Sequence, residues 1–199
     1  RVLFRSPCMR SVFIAEHING KTLHEKEFWP VYERAEGLNL PLFLTNLYPT
    51  DPVRQKDYFM INTIGNPLEA GYAATSLVCG GVLDAFPKLE VSLPHAGGVL
   101  PILRGRLDRG FHTRAECKTI PRPPSEYLKR FTYDTISYNE EIMDDLIKLV
   151  GIDRILMGSD FCFDIAYEEP VKFVNGMKSL NDAQREKILW SNAARYLKL

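Results

Sequence analysis

Leu93-Pro94-His95-Ala96-Gly97-Gly98-Val99-Leu100-Pro101-Ile102-Leu103-Arg104-Gly105-Arg106-Leu107-Asp108-Arg109-Gly110, in the middle of the chain, is the stretch that decides the fold. The apolar run over residues 89–93 stops at a histidine. Two glycines follow, then a proline able to open a helix that carries arginines on successive turns. A buried parallel strand reads as such a short run, and the polar residue at its carboxyl end faces the ligand in strand-helix folds. His95 holds that place. Gly97 and Gly98 permit a tight turn or a close backbone approach, and Pro101 suits the first turn of a helix. Arg104 and Arg106 leave a helix in different directions, so at most one of them faces the site. A core histidine bonded to backbone before an ordinary turn would give the same pattern, and this stretch alone leaves both readings open.

Working outward, strands and helices alternate. Residues 11–18 carry a Val-Phe-Ile-Ala core suited to a buried strand. Residues 26–38 then place Phe28, Tyr32 and Ala35 on one helical face, with Gly37 near the end. Residues 40–44 form the next apolar run, ending in Thr45 and Asn46. A loop over 47–66 precedes a long predicted helix whose apolar stripe is Leu68, Tyr72, Thr75, Cys79, Val82, Leu83 and Phe86, stopped by Pro87. Beyond the arginine helix, residues 121–124 are an irregular proline-rich link and residues 131–136 have strand character. Asn139 caps a helix expected to turn Ile142, Leu146 and Leu149 inward and to end at Gly151. The last buried run, 155–157, ends in Gly158-Ser159-Asp160. Two helices follow over 167–177 and 181–197, the second opened by a capping box of Asn181 and Gln184.

Five strands, each followed by helical sequence, predict a parallel α/β sheet wound with right-handed crossovers. Thr45, His95, Asp134 and Asp160 then all stand at strand carboxyl ends, the face on which parallel barrels build active sites.

The 199 residues suffice for one domain with a sizeable core. Twenty-five Lys and Arg balance 25 Asp and Glu, so no global field draws nucleic acid or an acidic membrane, and neither is an expected partner. Cys8, Cys79, Cys117 and Cys162 are far apart, without a C-x-x-C pair. They are expected to be buried free thiols in a reducing, cytoplasmic compartment. No apolar run approaches the roughly 20 residues that span a bilayer, and no signal peptide is visible. Residues 1–6, RVLFRS, read as the in-frame translation of a common sequencing-library adapter. They are expected to be an artefact, with residues 7–199 a portion of one domain that continues upstream of Pro7. Genomic DNA encoding the same six residues, continuous with an upstream stop codon, would overturn that expectation.

In order, PLFL before Thr45, GNPLEA at 65–70, GGVLDAFPKLEVSLPHAGGVLPILRGRLDRG at 80–110, RILMGSD at 154–160 and ILWSNAARYLKL at 188–199 resemble the amidohydrolase-related family. The likeness is to its branch of 2-amino-3-carboxymuconate-6-semialdehyde decarboxylase-like metal-dependent enzymes. The resemblance implies a distorted (β/α)8 TIM barrel, of which this chain supplies the C-terminal part, about five strand-helix units. It implies that two metal ligands lie upstream, that Thr45 stands where the family has a third ligand, a histidine, and that Asp160 is the fourth. His95 matches the family's catalytic histidine. Arg106 matches an arginine that in dimeric members reaches into the neighbouring subunit to hold a substrate carboxylate, which makes a homodimer the implied assembly. The implied cofactor is one divalent metal, zinc first and manganese second, and the implied substrate is a small carboxylic acid.

These residue types permit that chemistry. A divalent metal brings the pKa of bound water toward neutrality, and an imidazole with an unperturbed pKa of about 6.5 exchanges its proton there. An aspartate is a hard anionic ligand or hydrogen-bond acceptor, and an arginine offers a planar fork to a carboxylate. A threonine hydroxyl is a poor replacement for imidazole, and Asn46 beside it would point to the opposite face if the strand persisted. Three readings follow: a non-oxidative decarboxylase, a hydrolase or lactonase using His95 and Asp160 for water attack, or an inactive barrel homologue. Tyr133 and Asp134 are strand-end residues expected to make structural hydrogen bonds. Glu69 starts a helix, His17 could face the pocket, His24 and His112 are surface or loop residues, and Trp29 is packing.

Overall fold

The structure, a computed structural model, describes residues 9–47 and 51–199; the adapter-like residues 1–6 and Cys8 lie outside the described residues. The strands in chain order are β1 (Val12–Ala15), β2 (His17–Ile18), β3 (Lys21–Thr22), β4 (Leu42–Thr45), β5 (Val91–Leu93), β6 (Phe131–Asp134) and β7 (Ile155–Leu156). Five of them form one sheet in the order β1-β4-β5-β6-β7, and every pairing is parallel. The register sets Ala15 opposite Thr45, Leu93 opposite Tyr133 and Asp134 opposite Leu156, so the strand carboxyl ends share one edge. The predicted first strand divides at Glu16: β1 joins the sheet, and β2 pairs with β3 as a separate antiparallel hairpin.

The helices are α1 (Trp29–Gly37), α2 (Asn66–Cys79), α3 (Val82–Ala85), α4 (Leu100–Thr113), α5 (Glu140–Val150), α6 (Pro170–Gly176), α7 (Asp182–Glu186) and α8 (Asn192–Leu197). Each main strand leads into helix, as the alternation predicts. Within the expected loop over 47–66 a π-helical turn, Ile61–Gly65, leads directly into α2. A second one, Lys187–Ser191, joins α7 to α8, so the last predicted helix is one continuous but locally widened run. Its capping box forms in both directions between Asn181 and Gln184. The side-chain amide of Asn192 donates to the carbonyls of Ile152 and Ile155, both at 2.8 Å, and this ties the N-A-A-R segment to β7.

Side chains alternate along the strands. Ile14, Leu42 and Leu44 are buried, while Phe13 and Phe43 look to the opposite face with ring centroids 5.6 Å apart. Phe13 is 70% exposed because, among the described residues, β1 has a single neighbour in the sheet, and β7 likewise. Such edges agree with the expectation of about five units of a barrel.

Two helix faces differ from expectation. The long helix breaks at Gly80-Gly81. Its buried face in α2 is Ala70, Gly71, Ala73, Ala74, Leu77 and Val78, and Tyr72 of the predicted stripe is exposed. The cause is close approach: a Cβ on Gly71 would stand 2.4 Å from the Val99 side chain, so small residues pack inward and large ones outward. In α5 the buried residues are Met143, Leu146 and Val150, and Ile142 is exposed. The thiols are also less buried than expected. Cys162 is exposed and Cys79 and Cys117 are half-buried, because they sit in loops and at helix ends. Among the described residues no helix is long and apolar enough to cross a membrane.

Candidate active site

The turn after β5 is built by an unusual backbone run. His95, Ala96, Gly97 and Gly98 have φ of +56°, +53°, +82° and +58°. Left-handed conformations cost non-glycine residues energy, so something must hold the first two. Asp134, at the end of neighbouring β6, does so. Its Oδ2 accepts from the His95 amide at 3.0 Å, and its Oδ1 accepts from the amides of Ala96 at 2.8 Å and Ile136 at 3.0 Å. Successive N–H groups converging on one anion form a nest. Burial raises the Asp134 carboxyl above its ordinary pKa, against the opposing pull of the three N–H donors and of His95. Asp134 therefore makes the structural hydrogen bonds expected of it, and through them it positions His95.

The glycines are required by contact as well as conformation. A Cβ on Gly98 would lie 2.1 Å from the Pro67 carbonyl oxygen, and one on Gly97 would lie 2.6 Å from the Tyr133 ring. The turn is thereby seated on the start of α2, where the Val99 amide also donates to the Pro67 carbonyl at 3.2 Å. Gly98→Ala is expected to cost about 2–3 kcal/mol, because a positive φ and a rigid backbone neighbour combine. Urea unfolding measures it, and a loss below about 0.5 kcal/mol would show that the turn can shift.

His95 Nδ1 is buried and makes no hydrogen bond to protein. A core histidine ordinarily has its ring nitrogens satisfied, so this orphaned nitrogen fits the first of the two readings of the central stretch. Thr45, Asn46, His95, Asp134 and Asp160 all line one cavity of about 420 Å³ at the carboxyl ends of the strands. The strand ends converge as the sequence predicts.

Asp160 has φ of +59°, and its Oδ2 accepts from the Tyr138 hydroxyl at 3.4 Å. Burial and the neighbouring Asp160 charge push the Tyr138 phenol up to about 12, so it stays a donor toward the carboxylate. Its ring lies 4.6 Å from that of Tyr167, which stacks on Phe173 at 4.9 Å. No sequence signal singles out Tyr138. It reaches Asp160 because the turn after β6 places it there with φ of +56°.

Asn46 is a correction. β4 ends at Thr45, so the alternation that would turn Asn46 away has already lapsed. It shares the cavity with Thr45, and its Oδ1 is buried without a hydrogen bond to protein.

Of the two arginines, Arg104 rather than Arg106 lines a groove that His95 also borders. The groove, of about 740 Å³, runs between α4 and α5, takes in Pro101, Leu146 and Leu149, and meets the inner cavity at Asn62 and His95. The Arg104 guanidinium donates to the Pro101 carbonyl. Arg106 is exposed on α4 and lines neither space.

His17 and Glu69 do not face the inner cavity; with Glu16 they line a separate groove, which His24 borders from the surface. His112 is exposed near the end of α4, and Tyr133 is buried with its hydroxyl donating to the Leu128 carbonyl at 2.8 Å. Trp29 packs edge-on against Phe86 at 5.2 Å, as the packing assignment requires.

A parallel sheet whose adjacent strands end in a histidine, an aspartate nest and a second aspartate over one cavity is the arrangement at strand carboxyl ends on which α/β-barrel enzymes build their sites. The sequence profile described as Amidohydrolase matches residues 9–199, and the chain belongs to that family. It is 29% identical over 188 residues to the 2-amino-3-carboxymuconate-6-semialdehyde decarboxylase of Dictyostelium discoideum, covering 94% of this chain and 52% of that protein. The fold matches the crystal structure of 5-carboxyvanillate decarboxylase from Sphingomonas paucimobilis with a TM-score of 0.84 at 24% identity, over 96% of this chain and 58% of that one. A dihydroxybenzoic acid decarboxylase from Polaromonas sp., crystallised with manganese and the inhibitor 2-nitroresorcinol, matches at TM-score 0.78 and 26% identity, over 89% of this chain and 55% of that one. The chain thus spans about half the length of the curated relatives it matches.

Proposed function

We propose that the whole protein is a metal-dependent non-oxidative decarboxylase acting on a small, aromatic-type carboxylic acid. The observation that carries the reading is His95, whose Nδ1 is buried without a protein partner beside the cavity that Asp160 lines. The relatives named above support the reaction class.

The donor set fits a divalent ion. Asp160 offers a carboxylate, and Asn46 Oδ1 is an orphaned, buried oxygen in the same cavity. Hard oxygen donors and the manganese of the Polaromonas enzyme favour manganese over the zinc expected from resemblance. When bound, such an ion supplies a positive centre that polarises substrate oxygens and acidifies water. His95 is the proton carrier: the C–C bond to the carboxylate breaks, carbon dioxide leaves, and the proton ends on the carbon it vacated. Tyr138 donates to Asp160 and holds that carboxylate in place. Arg106, exposed and remote from both spaces of its own chain, reaches a substrate carboxylate only from a second copy, which makes a homodimer part of the proposal. The proposed compartment is the cytoplasm, where the exposed Cys162 stays reduced.

Metal analysis of the protein, expressed with any upstream segment its gene encodes, tests this. About one manganese or zinc per chain, lost in Asp160→Ala, with carbon dioxide released from a panel of dihydroxybenzoates and carboxymuconate-like acids, is the expected result. Hydrolysis of lactones without carbon dioxide release would favour the hydrolase reading. A folded protein with neither metal nor turnover would favour the inactive homologue.

A further inference from the structure

We infer that the acid bound in the inner cavity carries an apolar tail, which passes between His95 and Asn62 and lies in the groove between α4 and α5. The inference rests on the function proposed above and narrows its substrate class to aromatic carboxylic acids with an alkyl substituent of several carbons.

Continuity of the two spaces carries the argument. The inner cavity of about 420 Å³ and the outer groove of about 740 Å³ share two lining residues, His95 and Asn62. Each space has the size of a small-molecule pocket, about 300–1,000 Å³. An acid of one ring, seated at His95 and Asp160, leaves the whole groove to water.

The groove suits a tail rather than a second polar group. Pro67, Pro101, Ile136, Ile142, Leu146 and Leu149 line it, and Ile136 and Leu146 are only 4% and 3% exposed. Its charged residues are engaged with their own helices. Lys148 pairs with Asp145 at 3.2 Å on α5, and the Arg104 guanidinium is folded back onto the Pro101 carbonyl of α4. Methylene groups laid along such a surface gain what they lose in water.

Asn62 sets the width of the passage. On one side His95 is held through its main chain by Asp134. On the other, Asn62 belongs to the π-helical turn Ile61–Gly65 that runs directly into α2. Its amide donates to the Phe59 carbonyl at 3.0 Å, and a Cβ on Gly65 would collide with the Gln55 side chain, so the turn has little room to shift. With both backbones fixed, the side chain at 62 decides what passes. Asparagine is short and leaves the way open, which makes Asn62 a specificity-determining residue.

The test is calorimetric binding of 2,6-dihydroxybenzoate and of its 4-hexyl derivative, with manganese chloride present, to the protein expressed with any upstream segment its gene encodes. The hexyl acid is expected to bind about tenfold more tightly or better. Asn62→Trp, which narrows the passage, and Ile142→Glu, which puts a charge in the groove, should each bring the ratio of affinities to about one. Ile142→Glu should leave the affinity for the parent acid unchanged. Ile142 is 51% exposed, so this variant keeps the test intact if Asn62→Trp fails to fold. Equal affinity for the two acids in the wild type, or a preference that persists in Ile142→Glu, overturns the inference. Equal affinity together with a dimer that Ile142→Glu dissociates also overturns it and assigns the groove to a second copy of the chain. Carbon dioxide release separates this result from the reading it rests on. Release from both acids at equal affinity removes the tail and keeps the decarboxylase; a tail preference with no release from either acid does the reverse.

Discussion

Asparagine in place of His95 should lower turnover by about three orders of magnitude and leave the chain folded. The choice of asparagine follows from the backbone. His95 has φ of +56°, and asparagine is among the residues that tolerate that region, so the turn survives while the ring is removed. The main-chain bond from residue 95 to Asp134 is untouched by the exchange. Single-turnover release of carbon dioxide measures the chemical step, and a melting temperature within a few degrees of the wild type shows that the fold is intact. A loss smaller than about tenfold would remove His95 from proton transfer and leave the buried Nδ1 without a function.

Asp134→Ala is expected to be the most damaging stability change. Three main-chain N–H groups, of His95, Ala96 and Ile136, would lose one shared acceptor. Each buried donor left unpaired costs about 1–3 kcal/mol, and partial rehydration keeps the total near about 4 kcal/mol. For a chain of this size that corresponds to a fall of roughly 10 °C in melting temperature. The left-handed pair would also relax, so His95 would lose its place even in the folded fraction. A loss under about 1 kcal/mol would mean that water takes over the nest.

Asp134 has a pH signature as well. Burial raises its carboxyl in the folded state, so the folded chain binds a proton at a higher pH than the unfolded chain does. Its contribution to stability then grows as pH falls from neutrality through the raised value and levels off below the unfolded value of about 3.9. Asp134→Asn should flatten that part of the stability–pH curve, measured by urea unfolding at several pH values. An unchanged slope would place the titration elsewhere.

Much of the site was legible because strand ends announce themselves. The apolar runs before Thr45, His95 and Asp160 each stop at a polar residue, and parallel pairing does the rest. The glycines after His95 carried the need for a tight turn, and the structure adds the reason in the Pro67 carbonyl and the Tyr133 ring. The face of α2 was misread because hydrophobicity favours Leu68 and Tyr72, whereas close packing at Gly71 and Val99 selects alanine and glycine. Tyr138, Asn46 and the Glu16–His17–Glu69 cluster were not assembled in the sequence, since their positions depend on where strands stop and how turns leave them.

The sequence by itself determined the strand–helix alternation, the parallel sheet and the family, because each rests on local periodicity and on motifs in fixed order. Only the tertiary structure decided which side chains meet. Asp134 reaches the amides of His95 and Ala96 from 39 and 38 residues away, and Glu69 reaches a strand exit at residues 16 and 17. Such contacts are set by sheet register and helix approach, which no short stretch of chain encodes.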